Sequence, residues 1–233
     1  MVGQCHPLVA LGLILKGQTL MRIVAFGGLA QAGKSTAANM LARTAFENGY
    51  TPRMERFAGP LKDACAALGA DKDARPDLYR KFCQYVGGNF RDPEFSPPHT
   101  GPDYWVELTD TRFRKLEAAE LEDRGHDNWH ETLVIVDDVR YQNEIDLIRK
   151  WGGTLVFIDG WRRLGLPTDP EQWDKWRRDP SEDLAINYSL LKEPDQTFDF
   201  IVTNNGSAAE LEEIVQTMRA QWCGEIAADR ARE

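Results

Sequence analysis

Eight residues leave this chain few folds to choose from: Gly28-Leu29-Ala30-Gln31-Ala32-Gly33-Lys34-Ser35. The spacing Gly-x-x-x-x-Gly-Lys-Ser makes a phosphate-binding loop only between a buried strand and the start of a helix. Both flanks are present. Ile23, Val24, Ala25 and Phe26 form an apolar run before it, and Ala37, Ala38, Leu41 and Ala45 give one helix face after it. Gly28 and Gly33 permit backbone angles that curl the loop, so that its N–H groups point inward at phosphate oxygens. The helix that follows adds partial positive charge at its N-terminus. Ala30, Gln31, Ala32, Gly33 and Thr36 are therefore expected to line a phosphate site with Gly28. Lys34 supplies a mobile cation for the outer phosphates, and the Ser35 hydroxyl is placed to hold Mg²⁺. Triphosphate, ATP by expectation, and Mg²⁺ are the ligands.

Strand and helix patterns alternate along the rest of the chain. Strands are expected over 22–27, 52–57, 133–136, 154–158 and 198–203, and helices over 34–48, from Pro60, over 77–85, 103–124, 141–151 and from Ser207. Ser207 and Glu210 have capping-box spacing. This order predicts an α/β three-layer sandwich of the P-loop NTPase type, with a mainly parallel five-stranded sheet. Gly87, Gly88, Pro93, Pro97, Pro98 and Gly101 read as a long loop, of the kind that binds ligands. Residues 1–20 are expected to be an N-terminal extension before a domain at 21–233. Within that domain, about 70–125 would be an acceptor-binding insertion and about 161–183 a lid.

Charge and cysteine usage narrow the partners. The net charge of −9 argues against a general duplex-DNA binder, which needs a basic surface. It leaves room for a locally basic pocket. The apolar run Pro7 to Leu15 is too short to span a membrane. Cys5, Cys65, Cys83 and Cys223 have no metal-ligand spacing and fit reduced thiols in a cytoplasmic compartment. The oligomeric state is open, a homodimer included.

A loop of this kind names the donor and not the acceptor. Leu133-Val134-Ile135-Val136 reads as a buried parallel strand ending in Asp137-Asp138. Ligands of such sheets sit outside the carboxyl ends of the strands, so Asp137 is a candidate second Mg²⁺ partner. The plainer use of an Asp there is a helix cap, which Asp138 would serve. Arg140 follows the same strand. Arg162, Arg163, Arg177 and Arg178 form a basic cluster, with Trp161, Trp173 and Trp176, in an acidic protein. Phosphoryl transfer needs such positive charge around the migrating group. A lid that excludes water is the expected use, with Arg162 and Arg163 in contact with the phosphates.

Four segments resemble the phage-type deoxynucleoside monophosphate kinases, of the P-loop nucleoside monophosphate kinase and dephospho-coenzyme A kinase group. They are Gly28–Ser35, Phe57-Ala58-Gly59-Pro60-Leu61-Lys62-Asp63-Ala64, Val136-Asp137-Asp138-Val139-Arg140-Tyr141-Gln142-Asn143-Glu144, and Phe200 to Ser207 with its Asn204-Asn205-Gly206 turn. A fifth, Asp179-Pro180-Ser181-Glu182, is similar to a Ser-Glu signature that usually carries His where Pro180 stands. The resemblance implies transfer of the ATP γ-phosphoryl group to a deoxynucleoside 5′-monophosphate. Lys34, Asp137 and Arg140 would be catalytic, with Asn204 and Gly206 near the adenine. Lys62, Arg91, Trp105 and Arg140 would stand on the acceptor side. The rival readings are a kinase for a hydroxymethylated base in phage DNA or for dephospho-coenzyme A, and a nucleotide-binding regulatory ATPase.

Overall fold

A computed structural model describes residues 21–69, 74–92, 94, 101–123, 130–165, 180–190 and 197–230. The expected extension at 1–20 lies outside them. So does most of the expected lid, with Trp173, Trp176, Arg177 and Arg178.

Five strands, β1 (Arg22–Gly27), β2 (Tyr50–Glu55), β3 (Glu131–Val139), β4 (Thr154–Asp159) and β5 (Phe200–Thr203), form one sheet in the order β2-β3-β1-β4-β5. Every pairing is parallel. The sheet is thus wholly parallel, a stricter arrangement than the mainly parallel one expected. Among the described residues seven helices connect and flank the strands: α1 (Lys34–Ala45), α2 (Gly59–Ala67), α3 (Pro76–Asn89), α4 (Tyr104–Asp123), α5 (Gln142–Lys150), α6 (Asp183–Leu190) and α7 (Ala208–Arg230). The chain moves one way along the sheet from β1 to β2 and the other way from β2 through β5. Right-handed crossovers therefore place α1 on one face and α4, α5 and α6 on the opposite face. α7 packs on α1 and β5.

Burial on both faces is why β1 and β3 read as continuous apolar runs rather than alternating ones. Ile23 to Phe26 and Leu133 to Val136 are all nearly inaccessible to solvent. They join Leu41, Phe113, Ile148, Leu155, Ile186 and Val215 in a single core. A smaller second core holds Leu61, Cys65 and Trp105, with Tyr79, Phe82, Val86, Phe90 and Tyr104 around them. It draws α2, α3 and the start of α4 into one packed unit beside the sheet. The free thiols of Cys65 and Cys83 meet within it at 3.4 Å.

Three sequence expectations shift. α3 runs on to Asn89, so Gly87 and Gly88 are helical and not loop. Gly87 lets α3 lie close to α2, since a Cβ there would come within 3.2 Å of Leu61 Cδ2. β3 extends through Asp137 and Asp138 to Val139, so the two carboxylates belong to the strand itself. α6 carries no clear amphipathic signature in the sequence because it is only eight residues long: Ala185, Ile186 and Tyr188 are buried, while Asp183 and Asn187 are exposed. Among the described residues no helix is long and apolar enough to cross a membrane.

Candidate active site

The loop after β1 has the curled form its glycines predict. Gly28 has φ 134° and a Cβ there would meet the Ile158 carbonyl oxygen at 2.6 Å. Gly33 has φ 106°, and a Cβ would meet Asn204 Nδ2 at 2.3 Å. Both positions therefore exclude larger residues on conformation and on space together. Gly33 caps α1, so Lys34 and Ser35 open that helix. The Lys34 ammonium is buried and donates to the carbonyls of Gly28 (2.6 Å) and Leu29 (2.8 Å). Burial, with Arg140 adding, pushes its pKa down to about 8 against the pull of Glu182, Asp138 and Asp137.

The neighbouring strand brings the carboxylates. Opposite β1, Ala25 pairs with Val136 but Gly27 pairs with Val139, so β3 carries one extra residue at Asp137-Asp138. Successive side chains of a regular strand point to opposite faces. A bulge breaks that alternation and re-aims side chains next to it. Here both carboxylates reach the connection between β2 and α2. Asp137 takes a two-pronged ion pair from Arg56, with Nε at 2.8 Å and Nη2 at 3.1 Å. Asp138 accepts the N–H of Phe57 (2.8 Å) and of Ala58 (3.2 Å) and meets Lys62 Nζ at 3.2 Å. Asp138 thus secures the approach to α2 instead of capping α5.

The Ser35 hydroxyl lies near enough to Asp137 to help lower its pKa. Burial acts to raise that pKa. The hydrogen bonds from Arg56, the Ser35 hydroxyl and the charges of Arg56 and Lys62 outweigh burial and hold it below the usual carboxylate range. One ionised carboxylate beside one hydroxyl is a hard oxygen donor set of the kind Mg²⁺ accepts when phosphates and waters complete its shell. Among the described residues no group of three or more His, Cys, Asp or Glu could hold a metal by itself. The residues fit a metal brought in with a nucleotide better than a resident one.

Two further pairs complete the pattern. Arg91 donates to Glu144 at 2.8 Å and stacks over the Tyr141 ring, 3.9 Å from its centroid. Arg140 donates to Glu182, and to Ser181 Oγ at 3.0 Å. Glu144 also accepts the backbone N–H of Arg140 at 2.7 Å. Burial, with the charge of Asp138 adding, pushes its pKa up to about 7 against the pull of Arg91 and that N–H. Four cations, Arg56, Lys62, Arg91 and Arg140, each face one carboxylate. The carboxylates keep between 2 and 9% of their side-chain exposure and the cations between 19 and 42%. The negative charges are buried and the positive ones nearer the surface, so the arrangement offers donors to an anionic ligand.

The other sequence-predicted residues are placed as follows. Ser35, Thr36 and Gln31 are exposed along the loop. Asn204 braces the loop: its buried amide donates to the Ala32 carbonyl at 2.7 Å. Gly206 lies beside the Ser207–Glu210 capping box, where a Cβ would strike Glu210 Oε2 at 2.1 Å. Arg163 reaches the Gln31 carbonyl and, at 3.3 Å, that of Asn204, while the backbone N–H of Arg162 donates to Asn205 Oδ1 at 3.0 Å. Arg163 therefore seals the outer side of the loop, and the Arg162 side chain is exposed. Trp105 packs in the second core, and its indole N–H donates to the Gly87 carbonyl at 3.1 Å. Arg56 and the roles of Glu144 and Glu182 were missed. The sequence put Arg56 inside a strand expected over 52–57; β2 ends at Glu55, which places Arg56 just beyond the carboxyl end of the strand.

No family model matches the chain. An Acanthamoeba polyphaga mimivirus protein, provisionally named a deoxynucleotide monophosphate kinase, is 26% identical over 206 residues, which is 82% of this chain and 92% of that protein. Among solved structures, the APS kinase CysC of Mycobacterium tuberculosis in complex with AMPPNP and APS aligns at 17% identity and a TM-score of 0.42, covering 87% of this chain and 97% of its own. A gluconokinase from Sinorhizobium meliloti 1021 aligns at 13% identity and a TM-score of 0.41, covering 91% and 98%. At those scores neither structure bears on the reading, and the architecture stands on the strand order and loop geometry above.

Proposed function

We propose that this chain is a deoxynucleoside monophosphate kinase. It transfers the γ-phosphoryl group of Mg²⁺-bound ATP to a deoxynucleoside 5′-monophosphate, giving the diphosphate, in viral or phage deoxynucleotide supply. The observation that carries this reading is the second set of cations. A phosphate loop with Lys34 is enough for a nucleotide hydrolase. Arg56, Lys62 and Arg91 stand on other elements, at the carboxyl side of β2 and β3, and suit a separate phosphate-bearing acceptor. The mimivirus relative supports the same acceptor class.

The chemistry asks for positioning more than for a base. An acceptor phosphate is already largely dianionic at neutral pH. One of its oxygens attacks the γ-phosphorus, the bond from that phosphorus to the bridging oxygen breaks, and ADP leaves. Lys34 and Arg140 neutralise charge on the transferring group, and Arg56, Lys62 and Arg91 hold the acceptor in line. Ser35 and Asp137 would hold Mg²⁺, which draws charge from the phosphate oxygens when bound.

The test is ADP release from ATP with and without each deoxynucleoside monophosphate, modified bases included. One or more monophosphates should raise turnover well above the rate in water. Equal turnover without any acceptor would return the protein to the ATPases, and phosphate appearing on DNA would make it a base kinase.

A further inference from the structure

Glu182 ends a three-residue 3₁₀ turn (Pro180–Glu182) that leads into α6. Only 4% of the residue is exposed, yet both carboxylate oxygens have donors. Oε2 accepts the Ala30 N–H at 2.7 Å, and Oε1 accepts Arg140 Nη1. A carboxylate this deep is tolerable only when its oxygens are satisfied. The two donors come from different places, the phosphate loop and the residue just beyond β3. Ser181 Oγ, next in the chain, takes the same Arg140 nitrogen at 3.0 Å.

The position is as informative as the pairing. Lys34 Nζ rests on the Gly28 and Leu29 carbonyls, which precede Ala30 directly. Arg140 and Glu182 both act on the charge of Lys34, in opposite directions. The ammonium, the guanidinium and the carboxylate therefore gather on one turn of the loop, the turn from which the lysine serves the outer phosphates. Arg140 has a long flexible stem and would otherwise sample many positions over this turn. A fixed anion on one edge of its fork removes most of that freedom.

We infer that Glu182 is a positioning residue: it holds Arg140 against the phosphate loop, aimed at the phosphoryl group in transfer. It acts through Arg140 and touches no substrate. The inference rests on the proposed function only in requiring that a phosphoryl group leaves the bound nucleotide.

The test compares affinity for ADP with affinity for ADP plus aluminium fluoride, which mimics the planar phosphoryl group, with and without the monophosphate panel. The proteins are wild type, Glu182→Gln, Glu182→Asp, Arg140→Ala and the double variant Glu182→Gln/Arg140→Ala, each checked for an intact thermal transition. Glutamine keeps an oxygen for Ala30 and loses the charge that fixes Arg140. It should bind ADP within about 3-fold of wild type and lose roughly 100-fold for the fluoride complex. Glu182→Asp should fall between, which keeps the test open if glutamine does not fold. Arg140→Ala should show the same selective loss, and adding Glu182→Gln to it should change the fluoride complex by less than about 2-fold. Equal weakening of both ligands, losses that add in the double variant, or a wild type that does not prefer the fluoride complex would each overturn the inference. A wild type that prefers the fluoride complex but phosphorylates no monophosphate would sink the proposed function alone.

Discussion

Lys34 gives the sharpest prediction, because its charge is stored at a disadvantage. With no nucleotide bound its ammonium is buried and its pKa lies at about 8, against an ordinary 10.5. That gap is worth about 3 kcal/mol. The folded pKa lies below the unfolded one, so the unfolded chain binds more protons between pH 8 and 10.5, and stability rises with pH across that window. Below pH 8 the penalty is fully present. A triphosphate replaces the two carbonyls with ionised oxygens and should restore the lysine to its ordinary range or above. Nucleotide binding must then take up protons: about half a proton per nucleotide at pH 8, and nearly a whole one at pH 9. Calorimetric titration with ATP, in pairs of buffers that differ in ionisation enthalpy, measures this directly. Lys34→Arg should bind with no such uptake, since a guanidinium stays protonated throughout. Lys34→Ala should lose the uptake and lower turnover by several orders of magnitude while the fold survives. No proton exchange at pH 8 to 9 in the wild type, or the same exchange in Lys34→Ala, would refute the link between burial and binding.

Other outcomes follow from particular contacts. Asp137→Asn should lower Mg²⁺-dependent turnover by about 100-fold or more and raise the Mg²⁺ concentration needed for half-maximal rate; an unchanged metal response would reduce Asp137 to a partner of Arg56. Asp138→Ala leaves the N–H groups of Phe57 and Ala58 without their acceptor and should destabilise the fold by about 2–4 kcal/mol in urea unfolding. An unchanged midpoint would show that those donors find another acceptor. Trp105→Phe should lower stability by about 1–3 kcal/mol, through the lost indole bond and lost volume, and leave the acceptor KM within about 2-fold. A large rise in acceptor KM without loss of stability would put Trp105 on the acceptor side.

How legible each part was depends on how far apart its interacting atoms lie in the chain. The phosphate loop could be read completely, because strand, glycines, lysine and helix are contiguous and each position is dictated by backbone geometry. The buried strands could be read because a parallel sheet covered on both faces needs apolar residues at every position. α6 could not, since eight residues are only about two turns, too few for its exposed edge of Asp183 and Asn187 to stand out as a period. Gly87 and Gly88 read as loop because glycine disfavours helix on its own. At Gly87 the missing side chain is what lets α3 lie close to Leu61 of α2, a contact no local pattern records.

The sequence by itself determined the sheet class, the loop, and the position of Lys34 and Ser35 at the head of α1. Only the tertiary structure decided how the charges are shared out. The extra residue in β3 turns Asp137 and Asp138 toward the same connection, so that one meets Arg56 and Ser35 while the other secures the start of α2. Glu144 and Glu182 find Arg91 and Arg140 across 53 and 42 residues of chain. The reason is physical. A backbone turn is set by neighbours in sequence, whereas the partner of a buried charge is set by whichever opposite charge the packed fold brings within hydrogen-bonding reach.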